Sequence, residues 1–390
     1  MANKLKVLFL PAWYPHQFDN MAGLFVQEQA HALHPDADVA VLQIVQHPNV
    51  KRHQIECRTE NGILTYRIYL KPAPFPLLGK AINLLNYKWA AEYAYKQLEK
   101  KWGTPHICHV HVLTRAAALA YKLKQEKGIP YVITEHWSRY LPQNIQSYTG
   151  RLRIKYTEKF IAAAAAELPV SMHLQKAMQD RGLYNNHYEV IPNVVDSDRF
   201  IPPTVKTTSP VTRFLSVTCF DEKAKNLSGV VDAAYQLVTA GIRNFHITFT
   251  GDGKDRKKIE ERVQSLNLNT YCTFTGVLEG DALVNTYQQH DVLISNSHYE
   301  TFGMVIPEAL SCGLYVISTR TGVAPELIHE ENGCIIEPGD TIALMNAMQA
   351  CIVKPTSVNP TTAHAAVSAR YSSKAVSERL MAVYRRVLNA

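Results

Sequence analysis

No apolar run in this 390-residue chain approaches the roughly 18 residues that a membrane-crossing helix needs. The opening LKVLFLPAWYP carries too short an apolar core for a signal peptide, and its aromatic and proline residues fit a buried first strand instead. Cysteine is sparse: seven residues, odd in number, scattered, with no C-x-x-C pair. That excludes a disulfide framework and a Cys-rich zinc site, and points to a reduced, cytoplasmic protein. Charge is also modest, 19% of residues against 46% apolar, which excludes a disordered chain. There is no tandem repeat of short period, and neither a long basic run nor a nucleic-acid recognition motif, so nucleic acid is not expected as a partner.

The charge that is present is unevenly placed. Residues 1–195 hold 23 Lys+Arg and 14 Asp+Glu, a net +9, while the remainder is near neutral at −2. A basic first half suits an anionic partner, such as a membrane face or a lipid pyrophosphate; ordinary solubility charge is the other reading. The length calls for two domains. Apolar strand-like runs alternate with helical stretches in both halves: LKVLFLP, DVAVLQIV, HICHVHVL and PYVITEH, then RFLSVT, FHITFTG, CTFTG, DVLIS and YVIST. Helices are expected from Gly23 to Leu33, Arg115 to Glu126, Leu227 to Ala240, Asp255 to Leu266 and from Pro307. This rhythm predicts an α/β protein with two doubly wound parallel sheets covered on both faces. The expected division is 1–195, 196–372 and a terminal helix within 373–390, whose strongest part is Val376 to Leu388. Pro72 to Pro76 opens a loop, and Leu77 to Trp89 mixes apolar and basic residues, as a surface helix or one touching a membrane or an acceptor would.

The most informative stretch is ETFGMVIPE, Glu300 to Glu308. It lies between a strand-like run and a helix-like run. Gly303 sits at the turn, where the backbone must approach a ligand, and Pro307 is tolerated in a first helical turn. The unpaired N–H groups of such a helix end attract phosphate. Glu308 is placed to accept hydrogen bonds from ribose hydroxyls, and Glu300, at the strand tip, to reach the group beyond the phosphates.

ALSCGLYVISTRTGVAPELI follows. With the two glutamates, Phe302-Gly303, Glu308-Ala309-Leu310, Cys312-Gly313, Gly322 and Pro325-Glu326, the chain resembles the retaining glycosyltransferases of family 4, nucleotide-sugar enzymes of the GT-B fold. The resemblance runs nearly end to end. It implies two Rossmann-like domains facing a cleft, donor bound by the second, acceptor by the first, and a terminal helix returning to the first. It implies that Glu300 holds the sugar and Glu308 the ribose, beside Phe302, Gly303 and Met304. Gly251, in Gly251-Asp252-Gly253, would wall the nucleotide. Gly23, in Met21-Ala22-Gly23, stands where the family often has Gly-Gly near the donor phosphates; a plain helix start is the alternative.

In Lys223-Ala224-Lys225-Asn226-Leu227 the family places an arginine and a lysine on the donor diphosphate. Lys225 matches the lysine. The arginine position falls on Cys219 or Phe220, and neither can replace a guanidinium. The family histidine at a strand tip matches His136, which would align the acceptor side; His109 and His111 end another strand, also near the expected cleft, and His109 reads as structural. Trp137, Tyr140 and Tyr148 either stack on acceptor sugars or pack the core. Arg151, Arg153 and Lys155 either meet an anionic acceptor or form a solvated helix face. Asp196-Ser197-Asp198 looks like a D-x-D metal motif, but its setting, IPNVVDSDRF, matches the family's structural inter-domain segment, so no metal is expected. The expectation is therefore a metal-independent, retaining hexosyltransferase of glycan or polysaccharide assembly. It would need no cofactor beyond its nucleotide-diphosphate sugar, and would act on a glycan or lipid-linked acceptor in the cytoplasm, with peripheral contact at the inner membrane face. An epimerase or phosphorylase of the same fold, and a non-catalytic two-domain sugar-binding protein, are the alternatives.

Overall fold

The computed structural model describes residues 4–74, 78–113, 115–205, 209–354 and 358–389. The chain divides into two units, Met1–Val194 with Ser373–Ala390, and Val195–Ser372.

The first unit is built on seven strands: β1 (Leu5–Pro11), β2 (Ala37–Gln46), β3 (Gln54–Glu60), β4 (Ile63–Leu70), β5 (Ile107–His111), β6 (Tyr131–Glu135) and β7 (Ala166–Pro169). Their order is β3-β4-β2-β1-β5-β6-β7. Strand β5 is buried throughout, as a parallel strand covered on both faces must be. The sheet is not purely parallel, which corrects the sequence reading: β3 runs antiparallel to β4. Asn61 (φ 48°) and Gly62 (φ 84°) make the two-residue turn between them. Asn-Gly between two strand-like runs is a strong hairpin signal, and it stood in the sequence. Strand β3 is largely exposed and carries Glu56, Arg58 and Glu60, as befits an edge strand protected from further pairing.

The second unit has six strands: β8 (Thr212–Val217), β9 (Phe245–Thr250), β10 (Cys272–Gly276), β11 (Val292–Ser295), β12 (Tyr315–Thr319) and β13 (Gly333–Ile336). All pair in parallel, in the order β10-β9-β8-β11-β12-β13. The strand order reverses between β8 and β11 here, and between β1 and β5 in the first unit. Loops leaving the two strands at such a switch point diverge to opposite faces and leave a crevice at the carboxyl ends.

Phe75, Pro76 and Leu77, from the proline-rich stretch and the start of the helix expected after it, lie outside the described residues. The helix itself runs Gly79–Trp102, well past Trp89, because the added residues are strong helix formers such as Ala, Lys, Glu and Leu. The terminal helix Ser373–Leu388 belongs to the first unit. Val376, Leu380, Val383 and Tyr384 recur at helical spacing and enter the core formed with Val7, Phe9 and Val26. The Tyr384 hydroxyl lies 2.6 Å from His109 Nδ1, while His109 Nε2 lies 2.7 Å from the Thr134 hydroxyl. Both ring nitrogens of this buried histidine are therefore satisfied. Tyr384→Phe is expected to lower the stability of the first unit by about 1–3 kcal/mol, the cost of stranding a buried polar group. A urea midpoint for this unit equal to that of the wild type would show that the bond contributes nothing.

Candidate functional site

The site in the second unit lies at the ends of β8 and β11. After β8 the chain forms a loop, a short helical turn Glu222–Lys225, and the helix Leu227–Thr239. The Glu222 carboxylate accepts from the backbone N–H groups of Leu227 (2.9 Å) and Ser228 (3.1 Å), capping that helix from upstream. Asn296 Nδ2 donates to the Asn226 carbonyl at 3.0 Å, and the His298 N–H donates to the Ala224 carbonyl at 2.8 Å. These bonds clip the β8 loop to the β11 loop, and so hold Lys225 against Glu300.

The Lys225 ammonium forms an ion pair with Glu300 Oε1, which also accepts from the Ser297 hydroxyl at 2.9 Å. Burial works against the ammonium, but the Glu300 carboxylate outweighs it and holds the lysine above its ordinary value, with a smaller contribution from Cys219. Lys223 is exposed, whereas Lys225 is half-buried. Phe220 is fully buried in the core and Cys219 is exposed, so of the two positions matching the family arginine only Cys219 remains on the loop surface. Lys254, which the sequence did not single out, pairs with Asp221 at 3.1 Å on the same loop.

Gly251 follows β9 with φ 125°, and a Cβ there would sit 1.9 Å from the Thr218 carbonyl oxygen. Both conformation and space require glycine: the residue supports the β8 loop from behind. Gly303 needs glycine for its φ of 91°; around it an added Cβ would meet only ordinary contacts. The short helix Val305–Ser311 follows, with Met304 half-buried at its cap. Phe302 differs from the sequence expectation: its ring is buried edge-on to Tyr371, 5.9 Å between centroids, so only its backbone faces the turn. Glu308 Oε2 accepts from the Tyr287 hydroxyl at 2.7 Å. Burial pushes the Glu308 carboxyl up to about 7, opposed by the Tyr287 hydrogen bond. Tyr287 was missed in the sequence because nothing in its helix marks it; only folding brings it to Glu308.

In the first unit, Gly23 caps the helix Leu24–Leu33, and a Cβ there would sit 2.3 Å from the Trp13 carbonyl oxygen. His136 follows β6. It is buried, its ring lies 4.4 Å from that of Phe25, and neither ring nitrogen has a partner. His111 is likewise buried with both nitrogens unpartnered. Burial pushes His136 down to about 3, so the imidazole is neutral at physiological pH. Glu135, passed over in the sequence, organises this corner. Its carboxylate accepts from the backbone N–H groups of Leu113 (2.9 Å), His136 (2.8 Å) and Trp137 (2.9 Å).

Tyr140 and Tyr148 are buried against each other, 5.3 Å between centroids, which decides for core packing over sugar stacking. Trp137 is half-buried, edge-on to Trp13 at 5.3 Å. Arg151, Arg153 and Lys155 are exposed on the helix Arg151–Ala163. Asp196 and Asp198 are exposed too, and Asp196 holds a turn, its carbonyl accepting from Phe200 N–H at 2.9 Å and its carboxylate from Arg199 N–H at 3.2 Å. Among the described residues, no group of three or more His, Cys, Asp or Glu side chains is gathered as for a metal ion. No helix among them is long and apolar enough to cross a membrane.

Two family models match, and they divide the chain between them. Residues 23–199 match the model described as Glycosyltransferase Family 4, and residues 206–362 that described as Glycosyl transferases group 1. A phosphatidylinositol N-acetylglucosaminyltransferase subunit of Homo sapiens is 30% identical over 202 residues, 51% of this chain and 41% of that protein. This chain thus spans less than half the length of that relative. The 2-deoxystreptamine N-acetyl-D-glucosaminyltransferase of Streptomyces fradiae is 26% identical over 377 residues, covering 86% of this chain and 83% of that one. In three dimensions the chain is similar to the Anabaena protein HepE, solved in complex with UDP: TM-score 0.71, 17% identity, 98% of this chain and 100% of that one.

Proposed function

The chain belongs to the family 4 glycosyltransferases of the GT-B fold, and from that footing we propose that it moves a hexose from a nucleotide-diphosphate sugar to an acceptor hydroxyl, retaining the anomeric configuration, in glycan or polysaccharide assembly. The observation that carries this reading is the Lys225–Glu300 pair at the β8/β11 switch point, a few residues before the half-buried Glu308. A cation and two carboxylates at the carboxyl ends of a Rossmann-like sheet suit a nucleotide sugar.

In the transfer, the bond from the anomeric carbon to the diphosphate oxygen breaks, the acceptor oxygen bonds to that carbon, and the acceptor's hydroxyl proton leaves with the departing diphosphate. Negative charge develops on the departing diphosphate. Lys225 meets it when its pairing with Glu300 is exchanged for the phosphate, and the first-turn N–H groups after Gly303 add to the stabilisation. Glu300, released, accepts from sugar hydroxyls, and Glu308 accepts from those of the ribose. His136, neutral and with both nitrogens unsatisfied, takes a hydroxyl of the acceptor as its partner.

UDP is the first nucleotide to test, since a relative of the same fold was solved with it. The purified protein is expected to release nucleotide diphosphate from a sugar donor at a rate that rises when acceptor is added; donor bound but never turned over with any acceptor would turn the reading to a binding protein. Because Lys225 supplies the cation, turnover is expected to persist in EDTA. Loss of turnover in EDTA, restored by magnesium or manganese, would instead place a metal on the diphosphate.

A further inference from the structure

The first unit contains a cavity of about 880 Å³ that none of the donor chemistry uses. Its walls are three helices, Gly79–Trp102, Ala116–Lys127 and Arg151–Ala163, and its inner end is closed by Leu113 after β5 and by Trp137 and Arg139 after β6. Most of the wall is apolar: Leu84, Leu119, Tyr156, Phe160 and the Trp137 ring. Yet six cations line it, against two carboxylates, Glu92 and Glu126. Both carboxylates are engaged by Lys122, at 2.7 and 3.8 Å.

Arg139 is the exceptional group. It is 8% exposed, lies over the Trp137 ring, and its Nε has no hydrogen-bond partner. The nearby Glu135 carboxylate is already taken up by three backbone N–H groups. Arg153 is a second guanidinium close enough to repel it. Neither arginine forms an ion pair among the described residues. Burying Nε without an acceptor is costly unless a ligand supplies one, and the planar fork of N–H donors that Arg139 presents suits phosphate best.

The outer rim is equally unusual. Of the lining residues Leu84, Leu85 and Tyr156 are each more than half exposed, as are Trp89 and Leu152 on the same helices. Singly, such residues mean little; gathered at the mouth of an apolar cavity with lysine and arginine beside them, they match a surface that rests on a bilayer.

We propose that this cavity binds the acceptor as a lipid phosphate or pyrophosphate: the phosphate sits between Arg139 and Arg153, and the hydrocarbon chain runs out between the three helices to the membrane. A free sugar would leave the apolar wall uncovered, and a neutral lipid would leave Arg139 unpaired. This deepens the transferase reading and rests on it only for the role of acceptor.

The test is equilibrium binding to the whole protein, read by tryptophan fluorescence and calorimetry, with decyl phosphate below its micelle concentration, inorganic phosphate and uncharged decyl maltoside as probes. Decyl phosphate is expected to bind at least tenfold more tightly than either of the others, and to change the emission of Trp137. Ala118→Trp puts an indole into the cavity from an exposed position on a helix, which the fold should accept, and is expected to weaken decyl phosphate at least tenfold. Arg139→Gln should weaken it similarly, while bringing decyl phosphate and decyl maltoside to equal affinity. UDP binding, measured in the same samples, should be unchanged in both variants. Its absence already in the wild type would count against the donor site and leave the cavity result standing. Decyl phosphate bound no better than phosphate, or bound by Ala118→Trp as by wild type, would overturn the proposal. Equal affinity of the wild type for decyl phosphate and decyl maltoside would overturn it too, leaving an apolar groove without a phosphate site.

Discussion

Lys225→Ala is expected to lower kcat roughly a hundredfold or more, about 2.7 kcal/mol in the barrier, the usual scale for removing one preorganised group from a developing negative charge. Two effects combine. The diphosphate loses its cation, and the half-buried Glu300 loses its ion-pair partner while keeping the Ser297 hydroxyl. An unpaired carboxylate in the donor pocket would also repel the phosphates. Lys223→Ala, removing an exposed lysine from the same turn, should do much less. Steady-state kinetics of the two variants with saturating acceptor decide it. A larger loss for Lys223→Ala would mean that the loop carries its phosphate ligand on the outer lysine. Cys219 and Phe220, the two positions matching the family arginine, sharpen the expectation, because neither carries a cation to share the charge with Lys225.

Glu308→Ala is expected to weaken nucleotide diphosphate binding by about 1–3 kcal/mol, since a carboxylate–hydroxyl bond is lost and Tyr287 loses its acceptor. The pH dependence is more specific. In the free protein, burial puts the Glu308 carboxyl at about 7, above its ordinary 4.5. The fold therefore favours the protonated form: this group's contribution to stability is full below pH 4.5 and is lost as the pH rises through 7. Binding runs the other way. Ribose hydroxyls donate to the ionised form, so below pH 7 a proton must leave before the ligand is held. Nucleotide diphosphate affinity should then fall more steeply from pH 8 to pH 6 in the wild type than in Glu308→Gln, where this group cannot titrate. The phosphate's own titration is common to both and cancels. Parallel pH profiles, or a Glu308→Ala affinity equal to wild type, would remove Glu308 from the ribose.

Much of the fold was legible because its signals are local. Parallel strands covered on both faces are apolar at their centres, as in the VLI of DVLIS and the FL of RFLSVT; helices between them carry their apolar stripe at helical spacing. The β3–β4 hairpin was equally legible, through Asn61-Gly62, although it breaks the alternation of strands and helices that governs the rest of the sheet. The site was legible in part. Glu300, Gly303 and Glu308 are adjacent in the chain, and the demands of a turn and a helix start mark them out.

The sequence alone determined the α/β class, the two Rossmann-like sheets and the motif residues, because periodicity, turn chemistry and spacing are written over a few residues at a time. Only the tertiary structure decided which side chains meet. It closed Lys225 onto Glu300, 75 positions apart, set Tyr287 against Glu308, turned Phe302, Tyr140 and Tyr148 into the core, and left the Arg139 Nε buried without a hydrogen-bond partner. The reason is physical: a contact between distant positions depends on how the sheets and their covering helices pack, and no local pattern of residue types records which of many chemically suitable partners the packing brings within 3 Å.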